Sequence, residues 1–340
     1  MSLRFGRSLI AAVLAIVAPA AMAQPAAVTV TADNFIRAES DFYFAATSAN
    51  GGFERFVHHR EPTPVDAQTV IRMNRDTLYS SAVIDLDAGP TAIVLPDPGN
   101  RYLAMQVISQ DHFTIGVHYG AGRHVLTREQ VGTRYVMAII RILVDPAKPQ
   151  DLQQVHALQD TIRIEPRTAG RLELPRWDRE SQDKVRQLLL GLAATLPDAR
   201  RMFGARGEVE PVRHLIGSAA GWGGNPDRDA LYLNGLPSRN DGSTIYRLTV
   251  GDVPVDGFWS ISVYNARGFF EPNRQNAYSV NNVTARREAD GTVRVQFGGC
   301  DGTVPNCLPI TPGWNYTVRL YRPRAEILDG SWRFPSPEAP

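Results

Sequence analysis

The sequence predicts a mainly β protein built of two β-sandwich domains joined by a small helical segment. Three observations carry that expectation. Short apolar stretches with period-two alternation recur in two separate regions. Glycine and proline punctuate them as turns, and the 340 residues hold 28 Gly and 24 Pro. Helical spacing of apolar residues is confined to a stretch near the N-terminus and to the segment between the two β regions.

Residues 1–23 read as a signal peptide. Arg4 and Arg7 form a basic start, Leu9 to Ala18 is a short apolar run, and Ala21-Met22-Ala23 is a cleavage signal. The mature chain is therefore expected to begin after Ala23, in the periplasm or secreted. The apolar run is too short to serve as a membrane anchor. Cleavage takes the formal net charge from +1 to −1, because the leader carries two arginines and no acid. A nearly neutral chain has no electrostatic footprint for nucleic acid or anionic lipid. No later stretch is long and apolar enough to span a bilayer; Tyr135 to Val144 comes closest, and Arg141 interrupts it. A small-molecule or carbohydrate ligand is the partner class that remains. Cys300 and Cys307 are the two cysteines, and in an oxidising compartment they are expected to pair. The small loop gives roughly 2.5 kcal/mol in the chain-entropy account. A metal site is the alternative, with no histidine near them in sequence, and C-x₆-C lacks the tight spacing of a redox-active pair.

The elements follow in order. Residues 24–68 form an N-terminal helix and connector. Phe35, Ala38, Phe42 and Ala45 recur at helical spacing over Thr31 to Ala49, Thr31 can cap the start, and Gly51-Gly52 can end it. His58 and His59 follow in a loop; adjacent histidines diverge and make a poor metal pair. Residues 69–148 form the first sandwich, of immunoglobulin-like type, with strands at Leu78–Leu86, Thr91–Leu95, Tyr102–Ile108 and Tyr135–Val144. Residues 149–216 form the helical connector: Pro149–Asp160, then Asp178–Leu196 with a core stripe of Val185, Leu188, Leu189, Leu192 and Leu196, then a short helix from Pro197 to Gly204. Residues 217–335 form the second sandwich. Ile245–Val250 and Phe258–Tyr264 alternate, the latter with Trp259, Ile261 and Val263 inward and Ser260 and Ser262 outward. Val293, Val295 and Phe297, then Tyr316, Val318 and Leu320, are further inward sets, and Asp290-Gly291 signals a hairpin.

No G-x-S-x-G elbow, H-E-x-x-H pair or Walker loop is present, and no cofactor is expected. The densest polar cluster is Asn74, Arg75, Asp76, Thr77 and Tyr79, at the entry to a strand. Its polar groups are costly there unless they meet one another or a ligand. In a functional reading Arg75 grips an anion, Asp76 accepts a proton and Tyr79 assists. In a structural one Arg75 and Asp76 satisfy backbone groups and each other. Asp111-His112 is the smallest acid–base kit, with His112 as a second candidate base; a surface turn is the plain alternative. His118 and His124 follow at spacings of six, but glycines at 116, 120 and 122 break the strand, and no metal site is expected. Gly221-Trp222-Gly223-Gly224-Asn225 reads as a flexible entry to the second domain, or as a loop offering Trp222 as a stacking face and Asn225 as a polar contact. Asn273, Asn276, Tyr278, Asn281 and Asn282 suit a neutral polyhydroxylated ligand, or plain turns.

These residues also resemble a known family. Asn74-Arg75-Asp76-Thr77-Leu78-Tyr79-Ser80, Asp85-Leu86 and Arg101-Tyr102 are similar to the domain of unknown function 1254. Pro254-Val255-Asp256-Gly257-Phe258-Trp259-Ser260, Tyr264, Pro272-Asn273, Tyr278-Ser279, Asn306 and the ending Leu320-Tyr321 through Leu328-Asp329-Gly330-Ser331-Trp332 are similar to the domain of unknown function 1214. The resemblance covers most of the mature chain and implies a first β-sandwich, a helical segment and a jelly-roll-like second sandwich. It implies no reaction. Two departures matter. Where many members read Asn-Arg-Tyr-Ser, this chain has Asn276-Ala277-Tyr278-Ser279, so an anion grip by that arginine is absent. Where many read Asn-Trp-Leu-Pro, it has Asn306-Cys307-Leu308-Pro309, which favours the cysteine bridge. The expected function is an exported enzyme, a hydrolase or lyase, acting on a small polar or carbohydrate-like substrate between the domains. The alternative is a non-catalytic binding or cell-envelope protein.

Overall fold

The computed structural model describes residues 26–68, 71–165 and 168–339; the leader and its cleavage point lie outside the described residues. Helix α1 (Phe35–Thr47) runs into a π-helical turn at Ser48–Gly52. It starts later than Thr31 because the Thr31 N–H donates to Asn34 Oδ1 at 2.8 Å, a local turn that competes with helix.

The first sandwich follows as β1 (Val57–His58), β2 (Thr77–Asp85), β3 (Thr91–Leu95), β4 (Leu103–Ser109), β5 (Thr114–Tyr119), β6 (Gly122–Leu126), the one-turn α2 (Arg128–Val131), β7 (Tyr135–Leu143), α3 (Pro149–Thr161) and β8 (Arg163–Ile164). One antiparallel sheet has the order β1-β2-β7-β4-β5 and the other β6-β3-β8. Leu78, Met105, Val107 and Ile140 of the first meet Ile93, Leu95 and Leu126 of the second in the core. Every residue of β7 is buried. One face meets the sandwich core, and the other carries Tyr135, Met137 and Ile139 into a cluster with Phe44 and Trp222.

The connector holds α4 (Arg179–Ala193) and α5 (Pro211–Ala220). Asp178 caps α4 by accepting from the Ser181 N–H at 2.9 Å. The leucine stripe of α4 splits: Leu189 is buried, but Leu188 is 65% and Leu192 51% exposed. Leu189 packs with Val30, Phe35 and Ile216, which covers one side of the helix only. No helix forms from Pro197 to Gly204. The Asp198 carboxylate instead accepts from the Arg200 N–H and the Arg213 guanidinium, which holds the segment in turns. Gly217, where the second domain is predicted to start, lies inside α5. A Cβ there would sit 2.8 Å from Met202 Cβ, so this glycine serves close packing and not a linker.

The second sandwich comprises β9 (Ala230–Gly235), β10 (Tyr246–Val250), β11 (Trp259–Tyr264), β12 (Ser279–Asn281), β13 (Val293–Phe297), β14 (Cys307–Leu308), β15 (Asn315–Tyr321) and the one-turn α6 (Ala325–Leu328). A four-stranded sheet, β12-β11-β15-β9, faces a three-stranded one, β10-β13-β14. Trp259, Ile261, Val263, Val318 and Leu320 meet Leu248, Val250, Val293, Val295 and Phe297 between them. The inward set of β11 is as predicted, but Ser260 and Ser262 do not reach solvent. Their face of the sheet is covered by the first domain. Cys300 and Cys307 form a disulfide. No described helix is long and apolar enough to cross a membrane.

Candidate functional site

The seam between the sandwiches explains why the chain before β2 is so polar. The outer face of the four-stranded sheet carries Ser260, Ser262 and Tyr264 on β11, Ser279 and Asn281 on β12, Thr317 and Arg319 on β15, and Tyr232 on β9. Residues 72–77 lie across it. Arg319, 3% exposed, donates to the carbonyls of Arg72 and Met73 at 2.7 and 3.2 Å, to Ser262 Oγ and to Tyr264 Oη. Tyr264 Oη in turn donates to the Met73 carbonyl at 2.9 Å. Arg72 reaches Asn315 Oδ1. A polar strand entry and a polar sheet face thus satisfy each other, and the motif docks one domain on the other.

Among the described residues three buried atoms of this seam have no hydrogen-bond partner: Arg72 Nε, Ser260 Oγ and Asp76 Oδ2. Of these three residues only Asp76 borders the cavity described next. Asp76 is 1% exposed. Its Oδ1 accepts from Ser279 Oγ at 3.0 Å and Asn281 Nδ2 at 3.4 Å, while Oδ2 is buried with no hydrogen-bond partner. Asp76 borders a cavity of about 510 Å³ lined from both domains, by Arg75, Asp76 and Val144–Lys148 on one side and Gln275–Asn281, Asn306 and the Cys300–Cys307 bridge on the other. Arg75 and Asp76 share the cavity although they are sequence neighbours, because the chain bends there. The Arg75 guanidinium donates to the Thr63 carbonyl and lies 5.1 Å from the centre of the Tyr278 ring. Burial lowers its pKa. At the rim Lys148 pairs with Asp145 at 2.9 Å.

A hydrogen-bonded chain leads from the Asp76 backbone N–H to the interior. Asn74 Oδ1 accepts from the Asp76 N–H at 2.8 Å, and Asn74 Nδ2 lies 3.1 Å from Tyr79 Oη, 3.2 Å from Tyr321 Oη and 3.0 Å from Thr77 Oγ1. Tyr79 stands beside Arg141 across the β2–β7 pair, with the guanidinium 5.4 Å from its ring centre. Arg141 is itself buried and donates to Gln106 Oε1 and the Gly223 carbonyl, both at 2.8 Å, and weakly to Asn225 Oδ1. Burial opposes ionising Tyr79, but Arg141 and the hydrogen bonds of Asn74, Arg141 and Thr77 outweigh it, so this phenol sits below its usual range. Burial pushes the Tyr321 phenol well up. Two neighbouring tyrosines are thereby driven apart in acidity.

The remaining predicted site residues lie elsewhere. His112 does not border this cavity, and both its ring nitrogens are taken. Nε2 accepts from the Gly223 N–H at 2.9 Å; Ser218 Oγ donates to the His214 carbonyl, which leaves it to accept from His112 Nδ1 at 2.8 Å. Burial and the neighbouring His214 hold His112 well below the usual histidine range. Asp111 turns away to Arg37, at 3.0 Å from its Nε. The Asp111-His112 pair is therefore split, with the imidazole pinning the glycine loop as a neutral ring. Trp222 on that loop stacks on Tyr43 and His112 with ring centres 4.6 and 5.2 Å apart, and donates to Ser40 Oγ. Asn225 is buried against Arg141 and Tyr232 Oη. Asn273 closes its own turn through Ala277. His118 and His124 lie with ring centres 4.1 Å apart and planes tilted by 38°, without His112. Among the described residues no group of three or more His, Cys, Asp or Glu could hold a metal ion. Arg141 and Arg319 are not among the sequence-predicted site residues. A lone arginine inside an apolar alternating strand, as in Ile139-Ile140-Arg141-Ile142 and Thr317-Val318-Arg319-Leu320, is the signal that marks both.

A family profile described as "Protein of unknown function (DUF1254)" matches residues 53–130, and one described as "Protein of unknown function (DUF1214)" matches 234–325. The chain belongs to the two-domain DUF1254–DUF1214 family. Asp76 lies in the first match, and Ser279, Asn281 and the disulfide lie in the second. The VPA0106 protein of Vibrio parahaemolyticus has a similar structure, with a TM-score of 0.69 at 18% identity over 90% of this chain and 96% of its own. An uncharacterised protein of Burkholderia cenocepacia gives 0.50 at 14% identity over 90% and 86%. These likenesses show the fold. No curated protein matches the chain.

Proposed function

We propose that the chain is an exported protein that holds a small, neutral, hydroxyl-bearing ligand, carbohydrate-like in its chemistry, in the cleft between its two sandwiches. One observation carries the reading: Asp76, whose buried Oδ2 has no hydrogen-bond partner among the described residues, borders a cavity of about 510 Å³. A buried acceptor left unpaired costs about 1–3 kcal/mol, which a ligand hydroxyl donating to it recovers. The cavity volume suits a small ligand, and the exposed Asn276 offers a carboxamide at its rim. The export half of the reading rests on the leader.

The test is calorimetry of the mature protein against neutral mono- and disaccharides and polyols, beside Asp76→Asn. At least one compound is expected to bind, and to bind about tenfold or more weakly to the variant. A panel without a binder, or a binder indifferent to the substitution, refutes the assignment. A mature N-terminus at Gln24 in the periplasmic fraction checks export.

A hydrolase or lyase acting on the same ligand class is the second reading, favoured by the Asp76 carboxylate at the cavity and by a Tyr79 phenol that Arg141 makes more acidic. Asp76 is then the base, and Tyr79, which shares Asn74 with the Asp76 backbone N–H, assists. Turnover of the bound compound, lost in Tyr79→Phe with binding retained, separates this reading from binding alone.

A further inference from the structure

A second cavity, of about 320 Å³, opens on the same seam. Leu143 and Val283 line it, and their chain neighbours Val144 and Thr284 line the Asp76 cavity. Its wall is aromatic. Tyr102, Tyr119 and Phe258 border it, with Tyr102 centred 5.1 Å from Phe258 and 6.0 Å from Tyr119.

Arg101 and Arg322 both line this chamber; Arg101 is taken up by Asp151 and the Leu143 carbonyl, which leaves Arg322. Its guanidinium carbon sits 4.6 Å from the centre of the Tyr119 ring, and among the described residues its side chain has no hydrogen bond or ion pair. The backbone is nonetheless fixed. The Arg322 N–H donates to the Asp229 carbonyl at 2.8 Å, the Arg322 carbonyl accepts from the Asp256 N–H at 2.9 Å, and φ is +52°, in the left-handed region. Two acids lie within electrostatic reach of Arg322, Asp229 and the cavity-lining Asp256, and each has another partner. Asp256 accepts from Arg324 at 2.7 Å; Asp229 accepts from Tyr119 Oη at 2.8 Å and lies 3.5 Å from Arg228; Asp151 pairs with Arg101 at 2.5 Å. Burial keeps the Tyr102 and Tyr119 phenols neutral, so neither opposes an incoming negative charge. That leaves a stacked planar guanidinium with free donors at the mouth of an aromatic pocket. Such a group binds carboxylate or phosphate oxygens in bidentate fashion while a flat ligand body packs on the rings beside it.

We infer that this second chamber is an anion subsite, in which Arg322 holds the carboxylate or phosphate end of an organic ligand whose flat body lies against Tyr102, Tyr119 and Phe258. The inference goes beyond the Asp76 reading: the acidic ligand of this chamber is distinct from the neutral, hydroxyl-bearing ligand proposed for the other cavity, and the two proposals fail separately.

The test uses the full mature protein with three probes: benzoate, its neutral counterpart benzamide, and inorganic phosphate. Melting temperature and calorimetric affinity are measured for the native protein, Arg322→Gln, Arg322→Lys and Asp76→Asn. Benzoate, phosphate or both are expected to bind the native protein, and benzamide not. Preference for benzoate assigns a carboxylate and preference for phosphate a phosphoryl group. Affinity is expected to fall about tenfold or more in Arg322→Gln and partly in Arg322→Lys, where charge remains without the fork. Among the described residues the Arg322 side chain makes no hydrogen bond, so the ligand-free melting temperature of Arg322→Gln is expected to stay near native. Anion binding that survives in Asp76→Asn supports the subsite whatever becomes of the neutral-ligand reading. Benzamide binding as well as benzoate, anions indifferent to Arg322→Gln, or no anion binding to the native protein overturns the inference while leaving the Asp76 cavity to its own test.

Discussion

His112 shows what a single residue does in this protein. Its ring is buried, neutral and held at both nitrogens, and burial is the main reason its pKa lies well below 6.5. The folded state therefore binds fewer protons than the unfolded chain once the pH falls below the unfolded value. Its stabilising effect is complete above about pH 6.5 and is lost as the pH drops toward the folded value. His58, His118 and His124 are shifted the same way. Asp41, Asp227 and Asp229 are shifted up by burial and act with the opposite sign. The comparison that isolates His112 is thus between proteins. Urea unfolding at several values between about pH 7 and 5 is expected to give a shallower loss of stability in His112→Gln than in the native chain. Equal slopes would mean that the imidazole takes its proton without unfolding. Nothing in the local sequence shows this role. Asp111-His112 reads as an acid–base pair because the two are adjacent, but adjacency on a chain does not make side chains meet. Asp111 goes to Arg37, and His112 goes to a loop more than a hundred residues away.

Elements were legible where one face is apolar and the other is not. β3 matches its predicted span, and β2, β4, β7, β10 and β11 lie within about one residue of theirs, since period-two alternation is a direct trace of a half-buried strand. What covers the polar side is a property of the partner, which is why Ser260 and Ser262 read as solvent-facing and prove to be buried in the seam. Glycines misled for a similar reason. Gly217 and the Gly221–Gly224 run looked like linkers, yet they serve close approach. At Gly224 a Cβ would fall 2.4 Å from Phe203 Cε2, and the Gly224 carbonyl accepts from Gln106, which in turn accepts from Arg141. Gly224→Ala must push the phenyl ring or the loop. It is expected to cost about 1–3 kcal/mol by overpacking, read as a lower urea midpoint at unchanged m-value. A native midpoint would show that Phe203 gives way freely.

At the scale of the whole molecule, the polar cluster before β2 is a docking segment. It satisfies the buried Arg319 and lies across a sheet face that would otherwise be polar and uncovered. The sequence marked both ends of the cleft, Arg75 with Asp76 and Tyr278 with Asn281, but not that they meet; Ser279 reaches Asp76 across 203 residues of chain. Docking uses most polar groups of the segment; among the described residues Arg72 Nε and Asp76 Oδ2 are left without a hydrogen-bond partner, and Asp76 borders the larger cavity. The central claim is that this oxygen faces a ligand. The most direct measurement is a crystal structure of the mature protein soaked with the strongest binder from the neutral panel. The account predicts ligand density in the inter-domain cavity with a hydroxyl in hydrogen-bond range of Asp76 Oδ2. Density bound elsewhere, with that oxygen paired to protein or facing an empty cavity, would contradict it.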